Sequence, residues 1–180
     1  MPGPLFANVI LADEINRTPP KTQAALLEAM QEYQVTVGGT TRVLDKPFFV
    51  LATQNPIEQE GTYPLPTIQQ DRFMFSIIVD YLPRDEEIAV ADMTTSKRQE
   101  KLTNVIEGKE LLVYQRMVRE IPAAEPIVKY AVQLAGHSRP AHPNASEFVK
   151  NYVSWGSSLR GSHHLVLAAK TKALLDGRFG

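Results

Sequence analysis

The chain has 180 residues, of which 43% are apolar and 22% are charged, which is the composition of a folded globular protein. This excludes a disordered tail, a collagen-like repeat and a coiled-coil rod, and the net charge of -1 excludes a global field that would attract nucleic acid or an anionic membrane. Because there is no cysteine, a disulfide framework, a thiolate-bound metal and a thiol nucleophile are excluded as well.

Two short apolar runs predict neighbouring strands of a parallel sheet. Residues 9–12 (VILA) are followed by the acids at 13–14, and residues 48–52 (FFVLA) by TQNP at 53–56. Continuous apolar runs of this length are typical of strands that are buried on both faces. Polar side chains therefore cluster where each strand ends, and the proline prevents the second strand from continuing inside a sheet.

A helix and a hairpin are predicted between these strands. Thr18 is expected to cap the helix, with Pro19 or Pro20 in its first turn. The apolar stripe that should face the sheet consists of Ala25, Leu26, Ala29 and Met30. Alternating apolar and polar residues over 33–43, interrupted by the glycines at 38–39, then predict a β-hairpin.

The next segment is predicted to be a loop and a third strand. Residues 58–66 contain Pro and Gly and indicate a loop. The apolar residues 73–79 predict a strand directly after Asp71 and Arg72. The first part of the chain thus has an α/β pattern.

After Leu82 and Pro83 the apolar spacing becomes helical, so we place a domain boundary there. Residues 1–82 are then a partial α/β core and residues 83–180 a helical domain. The predicted helices cover 86–93, 109–120, 126–135, 146–155 and 162–176, and Gly177 closes the last one.

The ends of the two predicted strands form the candidate site. Ligands of open α/β sheets bind outside the carboxyl ends of the strands, where Asp13, Glu14, Gln54 and Asn55 fall. Asp13 could hold a hydrated magnesium ion, because Mg²⁺ takes few protein oxygens. Glu14 could then orient a water against a phosphoryl group, with Asn55 contacting that water or the γ-phosphate. The alternative for such an acid pair is a helix cap or a solvated turn.

Two arginines are candidates for neutralising phosphate charge. Arg72 precedes the third predicted strand and Arg160 precedes the last predicted helix, where free N–H groups already favour an anion. The alternative for each is a solvated or salt-bridged side chain. Residues 156–163 (GSSLRGSH) have the glycine spacing of a P-loop, but they lack its lysine and follow a helix, so we reject them as a phosphate cradle.

The other residue types that often carry chemistry favour structural roles here. The histidines are His137, His142, His163 and His164. They have no metal-ligand spacing on a common helix face and are predicted to be polar surface. The aromatic residues Phe148, Tyr152 and Trp155 recur at helical intervals, which predicts core of the helical half rather than a base-stacking platform.

Together, the motifs resemble the MoxR family of AAA+ ATPases over essentially the whole chain. The resemblance is strongest in residues 3–8 (GPLFAN), 13–17 (DEINR), 26–32 (LLEAMQE), 52–66 (ATQNPIEQEGTYPLP) and 71–73 (DRF). It implies a parallel sheet of the AAA+ P-loop NTPase type with helices, followed by an all-helical lid.

The resemblance also implies roles for individual residues. Asp13 and Glu14 match the Walker B pair, the first acting on magnesium and the second polarising the attacking water. Asn55 matches sensor 1, Arg72 the arginine finger that reaches the neighbouring subunit, and Arg160 the sensor-2 arginine. The hairpin around residues 38–39 matches the insertion before sensor 1, a candidate for contact with a remodelled partner.

The sequence departs from the family pattern in two places. Sensor 2 of the family commonly has a small residue and Pro before the Arg and Ala after it, whereas Ser158, Leu159 and Gly161 surround Arg160 here. The family also places a P-loop and its strand before the segment that begins at Pro2, and further lid helices after Gly180. The resemblance therefore implies an interior piece of a longer chain, truncated at both ends and expected to be inactive alone. It also implies that the P-loop strand belongs between strand 48–52 and residues 73–79.

The expected function is that of an ATPase in the full-length chain, binding ATP and Mg²⁺ and remodelling or maturing a client protein in a chaperone-like manner. The resemblance implies self-association into a hexameric ring and a client with a von Willebrand factor A-type domain, without nucleic acid. The alternatives are a non-catalytic binding or scaffold piece and a nucleic-acid or metal-chelatase motor. Because no apolar run has the length of a membrane span and residues 1–4 lack signal-peptide features, we expect a cytoplasmic protein.

Overall fold

A computed structural model of the chain describes residues 3–55, 61–96 and 102–178. The loop predicted over 58–66 and the matching motif at 52–66 thus lie partly outside the described residues. The strands are β1 (Val9–Ala12), β2 (Gln34–Val37), β3 (Thr40–Val43) and β4 (Phe49–Ala52). The helices are α1 (Pro20–Glu32), α2 (Thr67–Gln70), α3 (Arg84–Thr95), α4 (Gly108–Glu120), α5 (Glu125–His137), α6 (Glu147–Tyr152) and α7 (Leu159–Leu175).

The predicted parallel pairing is confirmed. β1 and β4 lie side by side and run in the same direction, with Val9 opposite Phe49 and Ala12 opposite Ala52. The α1 helix covers one face of the pair through Leu26, which packs with Ile15 and Leu65 in a buried cluster. Burial of aliphatic side chains of this size contributes about 1.5–3 kcal/mol each, so this cluster fixes α1 on the strands.

Burial of the strands on both faces, which the apolar runs predicted, is wrong for the described residues. Because strand side chains alternate between faces, Ile10 and Val50 point toward the cluster under α1. Leu11 and Leu51, on the other face, are exposed. No described element covers that second face.

The predicted hairpin is confirmed. Val37 pairs with Thr40, so Gly38 and Gly39 form a two-residue turn between β2 and β3. Both glycines have positive φ, at 58° and 77°, which is the backbone that tight hairpin turns require and that glycine adopts without steric cost. Val35 is buried with Ala29 of α1, which holds the hairpin against the helix.

The third predicted strand is wrong. Residues 73–79 form no strand ladder with any described residue. Phe75, Ile77, Ile78 and Val79 are exposed along this segment. An apolar run supplies the side chains of a buried strand but not its hydrogen bonds, which must come from a neighbouring strand. Among the described residues, β1 and β4 pair only with each other, so the outer edge of each strand has no strand partner.

Helix boundaries follow the local capping groups more than the apolar periodicity. Thr18 is not the cap of α1, since its hydroxyl donates to the Ile15 carbonyl while Pro20 begins the helix. α7 begins at Leu159, three residues earlier than predicted, because the Ser158 hydroxyl accepts from the Arg160 N–H. Its end agrees with the prediction, with Gly177 at φ 70° in the left-handed region.

The predicted aromatic core of the helical half is wrong. Phe148, Tyr152 and Trp155 are 67%, 76% and 77% exposed. Helix α6 ends at Tyr152, so Trp155 does not continue its face. In the described residues the helical half is instead held by contacts of α7 with α5 and α4.

Gly156 packs directly against the backbone of Ser138 and Arg139, and its replacement by alanine is expected to lower the free energy of unfolding by about 2–3 kcal/mol. A Cβ at this position would lie 2.4 Å from the Arg139 Cα and 2.5 Å from the Ser138 carbonyl oxygen, and neither backbone atom can rotate away. Chemical unfolding followed by far-ultraviolet circular dichroism measures the loss.

The matched control is Gly136→Ala in α5, where the new Cβ would lie 3.4 Å from the His142 ring, an ordinary contact. Because alanine favours a helix over glycine by up to about 1 kcal/mol, this variant should be neutral or slightly stabilised. Equal effects of the two substitutions would contradict the assignment of Gly156.

Candidate functional site

The structure brings the predicted polar strand ends together. Asp13 and Glu14 follow β1, Asn55 follows β4, and the register of the parallel pair places both ends at the same edge. The Thr53 hydroxyl donates to Asp13 Oδ1 at 2.5 Å and accepts from the Glu14 N–H at 2.8 Å. The two strand ends therefore form one polar surface.

Thr53 is a residue of this surface that sequence reasoning did not single out. Besides its hydroxyl, its N–H donates to the Ala12 carbonyl at 3.1 Å and its carbonyl accepts from the Ile15 N–H at 3.0 Å. The residue that follows β4 thus fixes the turn after β1. Its signal in the sequence was its position, the first polar residue after the second apolar run.

The backbone of Glu14 is in an unusual conformation. Its φ of 48° and ψ of 51° lie in the left-handed region, which non-glycine residues adopt at a cost of about 1–3 kcal/mol. The hydrogen bonds from Thr53 on either side hold it there. Its carboxylate forms an ion pair with Arg17 at 3.3 Å, and 40% of the side chain is exposed. The Glu14 side chain is therefore accessible to water.

A buried amide connects this surface to α1 and to the loop before α2. The Gln23 side chain is 2% exposed and donates to the carbonyls of Ile15, Thr18 and Tyr63 at 3.2, 3.2 and 2.8 Å. These acceptors are 5 to 40 residues away from Gln23 in the sequence, so no local pattern could have predicted its role. Gln23 fixes the turn after Glu14 to the segment that leads into α2.

Asn16 makes the corresponding connection to Asn55. Its side-chain amide donates to the Asn55 carbonyl at 3.3 Å, and its own carbonyl accepts from the Tyr63 N–H at 2.6 Å. The side chain is nearly fully buried, and its Oδ1 has no hydrogen-bond partner among the described residues. Asn16, in the turn after β1, therefore helps to fix the position of the Asn55 backbone.

Arg72 lies just after α2. Its guanidinium Nε and Nη1 are buried, and no described residue accepts a hydrogen bond from either. Burying an unpaired polar group typically costs about 1–3 kcal/mol, and more for a charged one. These atoms therefore do not join Arg72 to Asp13 or Asn55.

Arg160 is bonded to Asp71. Its Nη1 lies 3.1 Å from Asp71 Oδ2, and the Ser158 hydroxyl donates to the same oxygen at 2.8 Å. Burial alone would raise the pKa of the Asp71 carboxyl. The hydrogen bonds from Ser158 and Arg160, with the nearby charges of Arg160 and His164, outweigh that effect and hold the pKa below its usual value of 3.8. Asp71 therefore keeps its negative charge near neutral pH.

The donor set at the strand ends fits a hydrated magnesium ion. The exposed Asp13 carboxylate lies beside the Thr53 hydroxyl, and Mg²⁺ commonly takes one or two carboxylates together with waters and substrate phosphates. The described residues contain no group of three or more acids and histidines that could hold a metal by themselves. The chain also has no G-x-x-x-x-G-K-[ST] stretch to cradle phosphates.

A cavity of the described residues lies elsewhere. It has a volume of about 580 Å³ and is lined by residues 3–6, β1, α1 and the hairpin. None of the predicted site residues lines it. Its wall is mainly apolar, and Arg42 is the charged side chain there.

Among the helices that the structure describes, none combines the length and the apolar content that a membrane span requires.

Comparisons with known proteins agree on one family. Residues 1–75 match the ATPase family associated with various cellular activities (AAA). The chain is 46% identical to the uncharacterised protein YeaC of Bacillus subtilis over 98% of the chain and 53% of that protein. It is 42% identical to the chaperone MoxR1 of Mycobacterium tuberculosis, over 98% of the chain and 46% of that protein.

A solved structure gives the same result. The crystal structure of a proposed ATPase from Cytophaga hutchinsonii superimposes with a TM-score of 0.87 at 42% sequence identity, covering 98% of the chain and 54% of that protein. The α/β fold expected from the strand and helix pattern is therefore confirmed. The chain spans about half the length of the curated relatives it matches.

Proposed function

Because the chain belongs to the MoxR family of AAA+ ATPases, we propose that it works as part of a longer, magnesium-dependent ATPase that remodels or matures a client protein. The observation that carries the proposal is the in-register pairing of β1 with β4, which puts Asp13 and Glu14 beside the residues that follow β4. The missing phosphate cradle would come from the part of that protein outside this chain.

Each residue at the strand ends has a proposed role in hydrolysis. Asp13 holds Mg²⁺ through its carboxylate, and Thr53 orients that carboxylate through the 2.5 Å hydrogen bond. Bound Mg²⁺ supplies neutralisation of the phosphate charge. Glu14 aligns the attacking water and accepts its proton, and the side chain of Asn55 contacts that water or the γ-phosphate.

Arg72 is proposed to act on the nucleotide of a neighbouring subunit. This proposal is supported by the match of residues 71–73 (DRF) to the family pattern. The Nε and Nη1 atoms of Arg72 are buried without a partner among the described residues, so the guanidinium must change its conformation to reach a phosphate of another subunit. Arg160 is proposed to contact phosphate from the helical half of its own subunit. Self-association into a ring is proposed together with the first role, since that role needs a neighbouring subunit, and the hexameric state is proposed from the family resemblance.

The remaining proposals concern the domains, the client and the compartment. Residues 1–82 and 83–180 are proposed to be a core and a lid, with the nucleotide between them. The client is proposed to be a protein with a von Willebrand factor A-type domain, and the ring is proposed to work in the cytoplasm. A non-catalytic scaffold is the second candidate for this chain taken alone, because it lacks a P-loop.

Equilibrium binding of labelled ATP in the presence of Mg²⁺ separates the two candidates. We expect the full-length protein to bind ATP and the 180-residue chain to bind at least about 100-fold more weakly, since about 3 kcal/mol of phosphate contacts would be absent. Removing Mg²⁺ with a chelator should abolish phosphate release by the full-length protein. Failure of the full-length protein to bind ATP at all would favour the scaffold.

A further inference from the structure

One oxygen of Asp71 connects the two halves of the described chain. Two long-range hydrogen bonds from α7 and its cap end on Asp71 Oδ2, from the Ser158 hydroxyl at 2.8 Å and from Arg160 Nη1 at 3.1 Å. The Asp71 side chain is only 23% exposed. These bonds are therefore partly shielded from water, unlike ordinary surface ion pairs.

The contacts orient both the backbone and the side chain of Arg160. The Ser158 hydroxyl that donates to Asp71 also accepts from the Arg160 N–H at 3.0 Å. Asp71, Ser158 and Arg160 thus form a closed ring of three hydrogen bonds. No described residue accepts from Arg160 Nε or Nη2, so one edge of the guanidinium is left for another acceptor.

Asp71 is itself fixed relative to the strand ends. Its N–H donates to the Thr67 carbonyl at 3.0 Å at the end of α2. The preceding Gln70 side chain donates to the Leu65 carbonyl at 2.8 Å, and Leu65 is buried against Ile15, the residue after Glu14. A continuous path of contacts therefore leads from the turn after β1 to Arg160.

We propose that Asp71 is the positioning residue that sets Arg160 toward the bound nucleotide, a role that rests on the proposed ATPase function. Asp71 does not touch the nucleotide in this arrangement. It acts by holding one nitrogen of the guanidinium and the first turn of α7, while the free edge of Arg160 contacts phosphate. Because Arg72 is the next residue, the same carboxylate also links the helical half to the arginine proposed to serve the neighbouring subunit.

Steady-state hydrolysis by the full-length protein tests this role. Asp71→Asn, which keeps the size of the side chain but removes its charge, should raise the KM for MgATP about tenfold with a much smaller change in kcat. In an Arg160→Ala background the same change should have no further effect on KM, since the residue through which Asp71 acts is gone. An unchanged KM, or effects of the two substitutions that simply multiply, would overturn the proposal.

Asp176→Asn is the matched control. Asp176 also carries two basic partners at the end of α7, Lys172 at 2.6 Å and Arg178 at 3.1 Å, but it makes no contact with Arg160. We expect the KM of the Asp176→Asn variant for MgATP to equal that of the unmodified protein. If Asp71→Asn does not fold, Ser158→Ala carries the same prediction with a smaller rise in KM, because it removes both hydrogen bonds of the Ser158 hydroxyl but leaves the ion pair between Arg160 and Asp71.

Hydrogen–deuterium exchange of the nucleotide-free full-length protein gives a readout that does not depend on hydrolysis. The Arg160 N–H should exchange faster in Asp71→Asn and Ser158→Ala than in the unmodified protein, and at the unmodified rate in Asp176→Asn. Faster exchange without ATP turnover would mean that the proposed function fails and the positioning contact stands. Unchanged exchange in Asp71→Asn overturns the positioning role whatever the enzyme does.

Discussion

Replacing Arg72 by alanine in the full-length ring is expected to lower the rate of ATP hydrolysis by about 10³–10⁵-fold, the contribution of an arginine finger in phosphoryl transfer. The ring itself should still assemble. The physical reason is that a positive charge placed from outside the pocket stabilises the charge that develops on the transferred phosphate. Phosphate release and light scattering measure the two properties in one preparation.

Mixing subunits decides whether Arg72 acts on its own site or on that of a neighbour. Rings made of Arg72→Ala subunits and Glu14→Gln subunits contain some interfaces with an intact Glu14 on one side and an intact Arg72 on the other. If Arg72 reaches across, two inactive proteins should regain part of the activity on mixing. Arg116→Ala, at an exposed position of α4, is the control and should hydrolyse ATP normally. No recovery on mixing would contradict the role between subunits.

The second large effect is expected at Glu14. Glu14→Gln in the full-length protein should lower hydrolysis by about 10²–10⁴-fold, the usual contribution of a general base. ATP binding should persist, because the amide has the same shape and the Asp13 carboxylate is untouched. Filter binding and single-turnover phosphate release together should show ATP that is retained but not cleaved.

Glu32→Gln provides the control for this substitution. Glu32 is exposed at the end of α1 and lies away from the strand ends, so removal of its charge should leave both binding and hydrolysis unchanged. Hydrolysis by Glu14→Gln at the normal rate would exclude Glu14 as the base. Loss of ATP binding in the same variant would instead indicate that Glu14 supports the geometry of the pocket.

Local patterns predicted the elements that short-range physics determines. The β1 and β4 runs, the hairpin with its two glycines and the end of α7 at Gly177 follow from apolar content, turn conformation and capping, all of which act within a few residues. The grouping of Asp13 with Asn55 followed from one general rule, that parallel strands end at the same edge of a sheet.

The failures have two physical causes. Residues 73–79 have the side chains of a strand but no described strand partner, so a contact with distant residues is what they lack. The early start of α7 is a local effect instead, because Ser158 caps the helix directly before Leu159. Gln23, Thr53 and Asp71 act through hydrogen bonds that reach up to 40, 41 and 89 residues along the chain. Nothing near them in the sequence marks such partners.

At Glu14, the requirements of stability and of the proposed hydrolysis are opposed, because its backbone is in the left-handed conformation. Glycine adopts that conformation without the steric penalty that any other side chain meets, so it would relax the turn. It would also delete the carboxylate proposed to activate water. Laboratory evolution that selects for thermal stability alone should therefore favour glycine at position 14 and yield proteins that are more stable but do not hydrolyse ATP. A screen for ATP hydrolysis should retain the glutamate despite its lower stability.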